Sequence, residues 1–113
     1  MESKEKAKKI ASLLDNKLAS NIVVLDMEGV SPLADYFILA TGKSTRQNKA
    51  LQGYVEEDMT KEGMEPLQIE GHTSGDWILL DYGDVIIHLF TEEQRSYYDL
   101  ERLWKDAIKI ELS

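Results

Sequence analysis

Two aspartates, two histidines and a glycine–lysine–serine step are the residues whose types and spacing invite chemistry in this chain. Gly42-Lys43-Ser44 follows an apolar run and precedes a helical pattern, where a phosphate-binding loop would sit. Such a loop needs another glycine five residues before Gly42, so that free backbone N–H groups can cradle phosphates. Phe37 stands there, and Ser44 has an ordinary role as the first residue of a capping box. Asp81 and Asp84 could be imagined holding a metal. A nucleotidyltransferase-type site, however, wants two carboxylates two residues apart on one strand beside a Gly-Ser turn. These two straddle Tyr82-Gly83, where aspartate is an ordinary turn residue. His72 and His88 have neither a cysteine nor a third imidazole to complete a zinc site. For neither can sequence alone place a serine or threonine within hydrogen-bond reach in the fold, as nucleophilic catalysis requires. His88, within an apolar run, reads as a hydrogen-bonded core histidine. No catalytic group, metal or cofactor is expected.

The remaining candidate chemistry is apolar and aromatic, and it lies in Asp76 to Trp104, DWILLDYGDVIIHLFTEEQRSYYDLERLW. This stretch predicts strand, tight turn, strand and helix. Along residues 76–81, Trp77, Leu79 and Asp81 alternate with Ile78 and Leu80, so the two sets face opposite sides of a sheet. Tyr82-Gly83 supplies the hairpin turn. Residues 85–90 are apolar and largely β-branched, the pattern of a strand covered on both faces. Thr91 and Gln94 form a capping box that starts the last helix, expected over 92–109 with Tyr97, Leu100, Leu103, Trp104 and Ala107 buried. Ile78 and Leu80 enter the core. Trp77 and Leu79 are either covered by a helix of the same chain or left as a partner-binding patch. In the second case Trp77 is substantially exposed in the free protein. Tyr97 and Tyr98 point about 100° apart on a helix, so both cannot be buried in one core.

Upstream, residues 3–18 predict an amphipathic helix with Ala7, Ile10, Ala11, Leu14 and Leu18 inward and lysines on a solvated face. Strands are expected over 22–27 and 36–41, separated by a break at Pro32. Ser44 opens a second helix that carries Ala50, Leu51, Tyr54, Val55 and Met59 and ends at Gly63. A short strand over 67–70 completes a βαβ unit, which sets strands 36–41 and 67–70 parallel. The hairpin adds antiparallel pairing. The expected fold is therefore α/β, a single domain over residues 1–113 with a mixed sheet of about five strands and helices packed on it.

Length permits one core and not two. No apolar run approaches the ~18 residues of a membrane span. The absence of cysteine excludes disulfides and thiolate zinc sites, and fits a cytoplasmic protein. A net charge of −8 opposes binding that works mainly through nucleic-acid phosphates and favours encounter with a basic partner.

SPLADYFILATGKSTRQ, a following Glu-Gly step and the 76–104 stretch together resemble the ribosomal silencing factor family, also called Iojap-like or RsfS. The resemblance runs from the first helix to Trp104, and the blocks Ala34–Gln47 and Asp76–Trp104 carry most of its specificity. It implies a non-enzymatic translation repressor. Such a protein binds the large ribosomal subunit through a ribosomal protein at the intersubunit face, and it blocks joining of the small subunit when nutrients are scarce. It also implies a fold similar to nucleotidyltransferases without their catalytic carboxylates, and a capacity for homodimers. In that reading Trp77 and Leu79 are the anchor, Tyr98 is a flanking contact, and Asp81 or Asp99 meets basic side chains of the partner. No membrane and no sequence-specific nucleic acid enters. The N-terminus lacks the leader of mitochondrial and plastid relatives, so a bacterial cytoplasmic protein is expected. The alternative is a diverged metal-dependent nucleotidyltransferase or nucleotide-binding protein that uses Asp81 and Asp84 with Mg²⁺.

Overall fold

The computed structural model describes residues 1–110. Helix α1 (Ser3–Asn16) buries Ala7, Ile10, Ala11 and Leu14, the stripe that helical spacing dictates. It stops short of its expected end, because Leu18 turns left-handed (φ 68°) and is exposed. The lysine face also has an exception. Lys6 is buried, and its Nζ donates to Asp84 Oδ1 at 2.6 Å.

Strands β1 (Ser20–Asp26) and β2 (Tyr36–Gly42) pair antiparallel. Helix α2 (Thr45–Lys61) then starts at Ser44, whose Oγ accepts the Gln47 N–H at 3.1 Å. Gln47 reaches back to the Lys43 N–H, one residue earlier than in a standard capping box. Gly63, at φ 76°, ends the helix as expected. Its inward stripe is Asn48, Leu51, Gln52, Val55 and Met59. Ala50 and Tyr54 face outward instead, and the Lys17 ammonium lies 4.2 Å from the centre of the Tyr54 ring. Replacing Ser44 by alanine should cost about 0.5–2 kcal/mol of stability, read as a lower urea midpoint. An unchanged midpoint would show that this cap contributes nothing.

Strand β3 (Gln68–Glu70) lies at one sheet edge, beside β4 (Trp77–Asp81) and β5 (Val85–Thr91). Among the described residues the sheet has six strands in the order β3-β4-β5-β2-β1-β6, and it is mixed: β2 and β5 are parallel and every other pair antiparallel. The pairings make β2 and β3 run the same way, as expected, but the β4–β5 hairpin separates them.

The chain after Thr91 departs most from expectation. Thr91 Oγ1 accepts the Gln94 N–H at 3.4 Å and starts helix α3 (Glu92–Tyr98). That helix ends at Asp99, which is left-handed (φ 45°, ψ 54°). A single turn, α4 (Leu100–Leu103), follows, and β6 (Ile108–Ile110) pairs antiparallel with β1. One helix over 92–109 is thus replaced by a broken helix and a sixth strand. The break lets Leu100 drop onto the sheet and be buried, with Trp104 and Ala107 packed beside it, while Tyr97 and Leu103 remain exposed.

The sheet is covered unequally. Ile38, Ala40, Ile78, Leu80, Ile87 and Leu89 meet α1 and α2 on one face. On the other face, among the described residues, Leu25, Phe37, Leu39, Ile86 and Phe90 are covered by Met27, Val30, Ala34 and the 100–107 segment, with Trp77 and Leu79 at the margin.

Candidate partner-binding face

The thinly covered side of the sheet carries the aromatic residues of the hairpin. Trp77 and Leu79 alternate outward on β4 while Ile78 and Leu80 are fully buried, as the period-two pattern requires. Register sets Trp77 opposite Phe90, Leu79 opposite His88 and Asp81 opposite Ile86. The Trp77 ring centre lies 5.0 Å from Phe90 and 4.7 Å from Tyr98. Its Nε1–H donates to His88 Nδ1 at 3.0 Å. Tyr98 in turn meets Tyr97 edge-on at 5.1 Å. Beneath, His88 stacks with Phe90 and lies 5.2 Å from Phe37, which meets Trp104 edge-on at 4.7 Å.

The structure therefore brings Trp77, Leu79 and Tyr98 onto one surface. Trp77 and Leu79 are half-buried, not openly exposed, and Trp77 packs against its own chain. Tyr98 and Asp99 are exposed, as is Tyr97 at 80 %. A shallow depression lined by Tyr97, Tyr98, Asp99, Arg102 and Leu103 extends the surface past the helix break. Asp81 lies at the far end of β4, roughly 13 Å along the strand from Trp77. One of its oxygens accepts the Gly83 N–H at 2.8 Å, which explains its place at the turn.

Chemistry at the other candidate residues is taken up by structure. Asp84 is paired with Lys6, and Asp81 caps its own turn. His72 bonds Gln52 of α2 at 2.6 Å, whereas His88 lies under the opposite face of the sheet. Around Gly42, Ser44 Oγ takes the Gln47 N–H, Gln47 takes the Lys43 N–H and the Ser44 carbonyl takes the Asn48 N–H. Gly42 is required by packing. A Cβ there would lie 2.1 Å from Asn48 Oδ1, and Asn48 is fully buried with its Nδ2 donating to the Gly75 carbonyl at 2.9 Å.

Two supporting residues escaped sequence reasoning, and a third was expected without its partner. Asn48 ties α2 to the loop before β4. Arg95 holds the α3–α4 corner: it donates to Thr41 Oγ1 at 2.9 Å, to the Asn21 carbonyl and to Glu101 at 2.8 Å. The third, His88, is the buried, hydrogen-bonded histidine expected, and its partner is Trp77. Burial pushes its pKa down to about 4, so at neutral pH the ring is uncharged and Nδ1 is free to accept. A lone histidine diagonal to a tryptophan across a hairpin was the available signal, since such neighbours come within reach of long side chains.

Comparison with known proteins assigns this architecture. The sequence profile of the family described as "Ribosomal silencing factor during starvation" matches residues 1–113. The ribosomal silencing factor RsfS of Bacillus subtilis is 40% identical over 107 residues, covering 95% of this chain and 91% of that protein. The mouse protein named "Mitochondrial assembly of ribosomal large subunit protein 1" is 35% identical, over 84% of this chain and 43% of its own length. A crystal structure from Chromobacterium violaceum superposes with a TM-score of 0.89 at 38% identity, covering 93% of this chain and 88% of the other. The extent and agreement of these matches show that the chain belongs to the ribosomal silencing factor family.

Proposed function

We propose that this chain silences ribosomes by steric exclusion. It binds a ribosomal protein on the intersubunit face of the large subunit and keeps the small subunit from joining, repressing translation when nutrients are limiting. It does so as a cytoplasmic binding module and not as an enzyme. The carrying observation is the aromatic surface of Trp77, Leu79 and Tyr98, on the sheet face that the two long helices leave uncovered. Tryptophan and tyrosine are the residue types most enriched at binding hot spots. Asp81 and Asp99 lie at its two ends, suited to basic side chains of the partner. Family membership and the large-subunit assembly named for the mouse relative point the same way.

Sedimentation of purified subunits tests the proposal. The protein should travel with large subunits only and deplete joined ribosomes. Travel with the small subunit alone, or undiminished joining at saturation, would overturn it. Charge adds a second expectation. With a net charge of −8 and a basic partner, association should slow between ~50 and ~300 mM salt, because the Debye length shrinks from ~10 Å at 0.1 M. Dissociation should change less. A flat on-rate would remove charge steering.

A further inference from the structure

We propose that His88 is the positioning residue of the partner-binding face, holding the Trp77 indole in the orientation the partner meets by accepting its N–H at Nδ1. The inference rests on the reading of Trp77 as a contact residue.

Packing alone does not account for an imidazole at position 88. The side chain is 4% exposed among Phe37, Phe90 and Trp104, where phenylalanine or leucine would fill the space without desolvating a polar ring. Nε2 has no partner among the described residues. Among the described residues the side chain's one hydrogen bond goes to Trp77. The indole does not depend on that bond for a partner in the way a fully buried ring would, because Trp77 lies at the half-buried margin of the face, where water can satisfy an N–H. What the bond supplies is direction. Phe90 and Tyr98 grip the Trp77 ring by contacts that do not distinguish its N–H edge from its C–H edge. Only the acceptor beneath it does. A partner that meets an already oriented indole avoids the entropy cost of fixing it on binding.

The tautomer follows. An accepting Nδ1 requires the proton on Nε2, and ¹⁵N–¹H correlation of the wild-type imidazole reads this directly. A proton on Nδ1 would overturn the proposal with no variant needed.

The functional test compares His88→Asn with His88→Leu, which match in shape but differ in that asparagine keeps an acceptor near the Nδ1 position. Binding to purified large subunits is measured at a temperature where each variant is folded. His88→Leu should bind about tenfold more weakly than wild type, and His88→Asn within about threefold of it. In a Trp77→Phe background, where the donor is gone, the two should bind alike. Equal weakening of both variants with Trp77 present would reduce His88 to a packing residue. So would wild-type binding by His88→Leu while Trp77→Ala binds poorly. Wild-type binding by Trp77→Ala is a different failure, because it would overturn the binding face itself. If His88→Leu does not fold, the wild-type tautomer still decides whether the bond exists.

Discussion

Trp77→Ala is expected to weaken large-subunit binding by at least ~2 kcal/mol, about thirtyfold, and to lower folding stability by roughly 2 kcal/mol. Both losses come from one side chain that has two sets of neighbours. Sequence alone separates the cases cleanly, since an exposed anchor would cost binding and a core residue would cost stability. The structure puts Trp77 between them. It is half-buried against Phe90 and Tyr98 and bonded to His88, so truncation removes part of the packing of a fully buried aromatic, whose loss typically costs ~3–5 kcal/mol. Leu79→Ala should follow it with smaller effects, being half-buried on the same face. Ile78→Ala should instead cost ~2–5 kcal/mol of stability, because Ile78 is fully buried beneath the helices, and the folded fraction should still bind. Urea denaturation and a large-subunit binding assay on the three variants check this. Trp77→Ala that binds like wild type would remove it from the interface.

Acid should destabilise the protein through His88. In the unfolded chain this imidazole takes up a proton near pH 6.5, whereas in the folded protein burial delays uptake to about pH 4. Between those values the unfolded state binds more protons, so stability falls as pH falls. The contribution is whole above pH 6.5 and is lost as the pH drops through 4, by about 3 kcal/mol. Carboxylates also titrate toward the lower end of this range. The informative quantity is therefore the difference between wild type and His88→Phe. Wild type should lose about 3 kcal/mol more than the variant on going from pH 7 to pH 4. Equal losses would show that His88 is not held neutral by burial.

Local chemistry made much of the fold legible. Ser44 and Thr91 announce helix starts because their side chains satisfy free N–H groups, and Gly63 announces an end because it accepts a positive φ. The alternation at residues 77–81 assigns each side chain to a face before any partner strand is known. What failed was not local. Tyr97, Leu100, Leu103, Trp104 and Ala107 satisfy a helical period, yet Leu100, Trp104 and Ala107 reach the sheet only because the chain breaks at Asp99. The same period hides the alternation in Ile108–Ile110 that becomes β6. Side-by-side placement of β2 and β5, and the Lys6–Asp84 pair, join residues far apart in sequence, and no pattern in either segment names its partner.

The candidate site divides in the same way. The hairpin delivers the chain to α3, so Trp77, Leu79 and Tyr98 were readable as neighbours. Their depth was not, because it depends on how much of that sheet face the broken helix covers. The role of His88 depends on which cross-strand diagonal its ring takes, and the sequence does not carry that.

Competition for the large subunit tests silencing by exclusion most directly. Purified subunits are mixed at a fixed large-subunit concentration, and joining is followed by light scattering while the protein and the small subunit are titrated against each other. Exclusion predicts that the protein suppresses joining completely at saturation. Excess small subunit should restore it in full, and the half-inhibiting concentration, corrected for competition, should equal the dissociation constant for the large subunit alone. A joined ribosome that still carries the protein at saturation would contradict it.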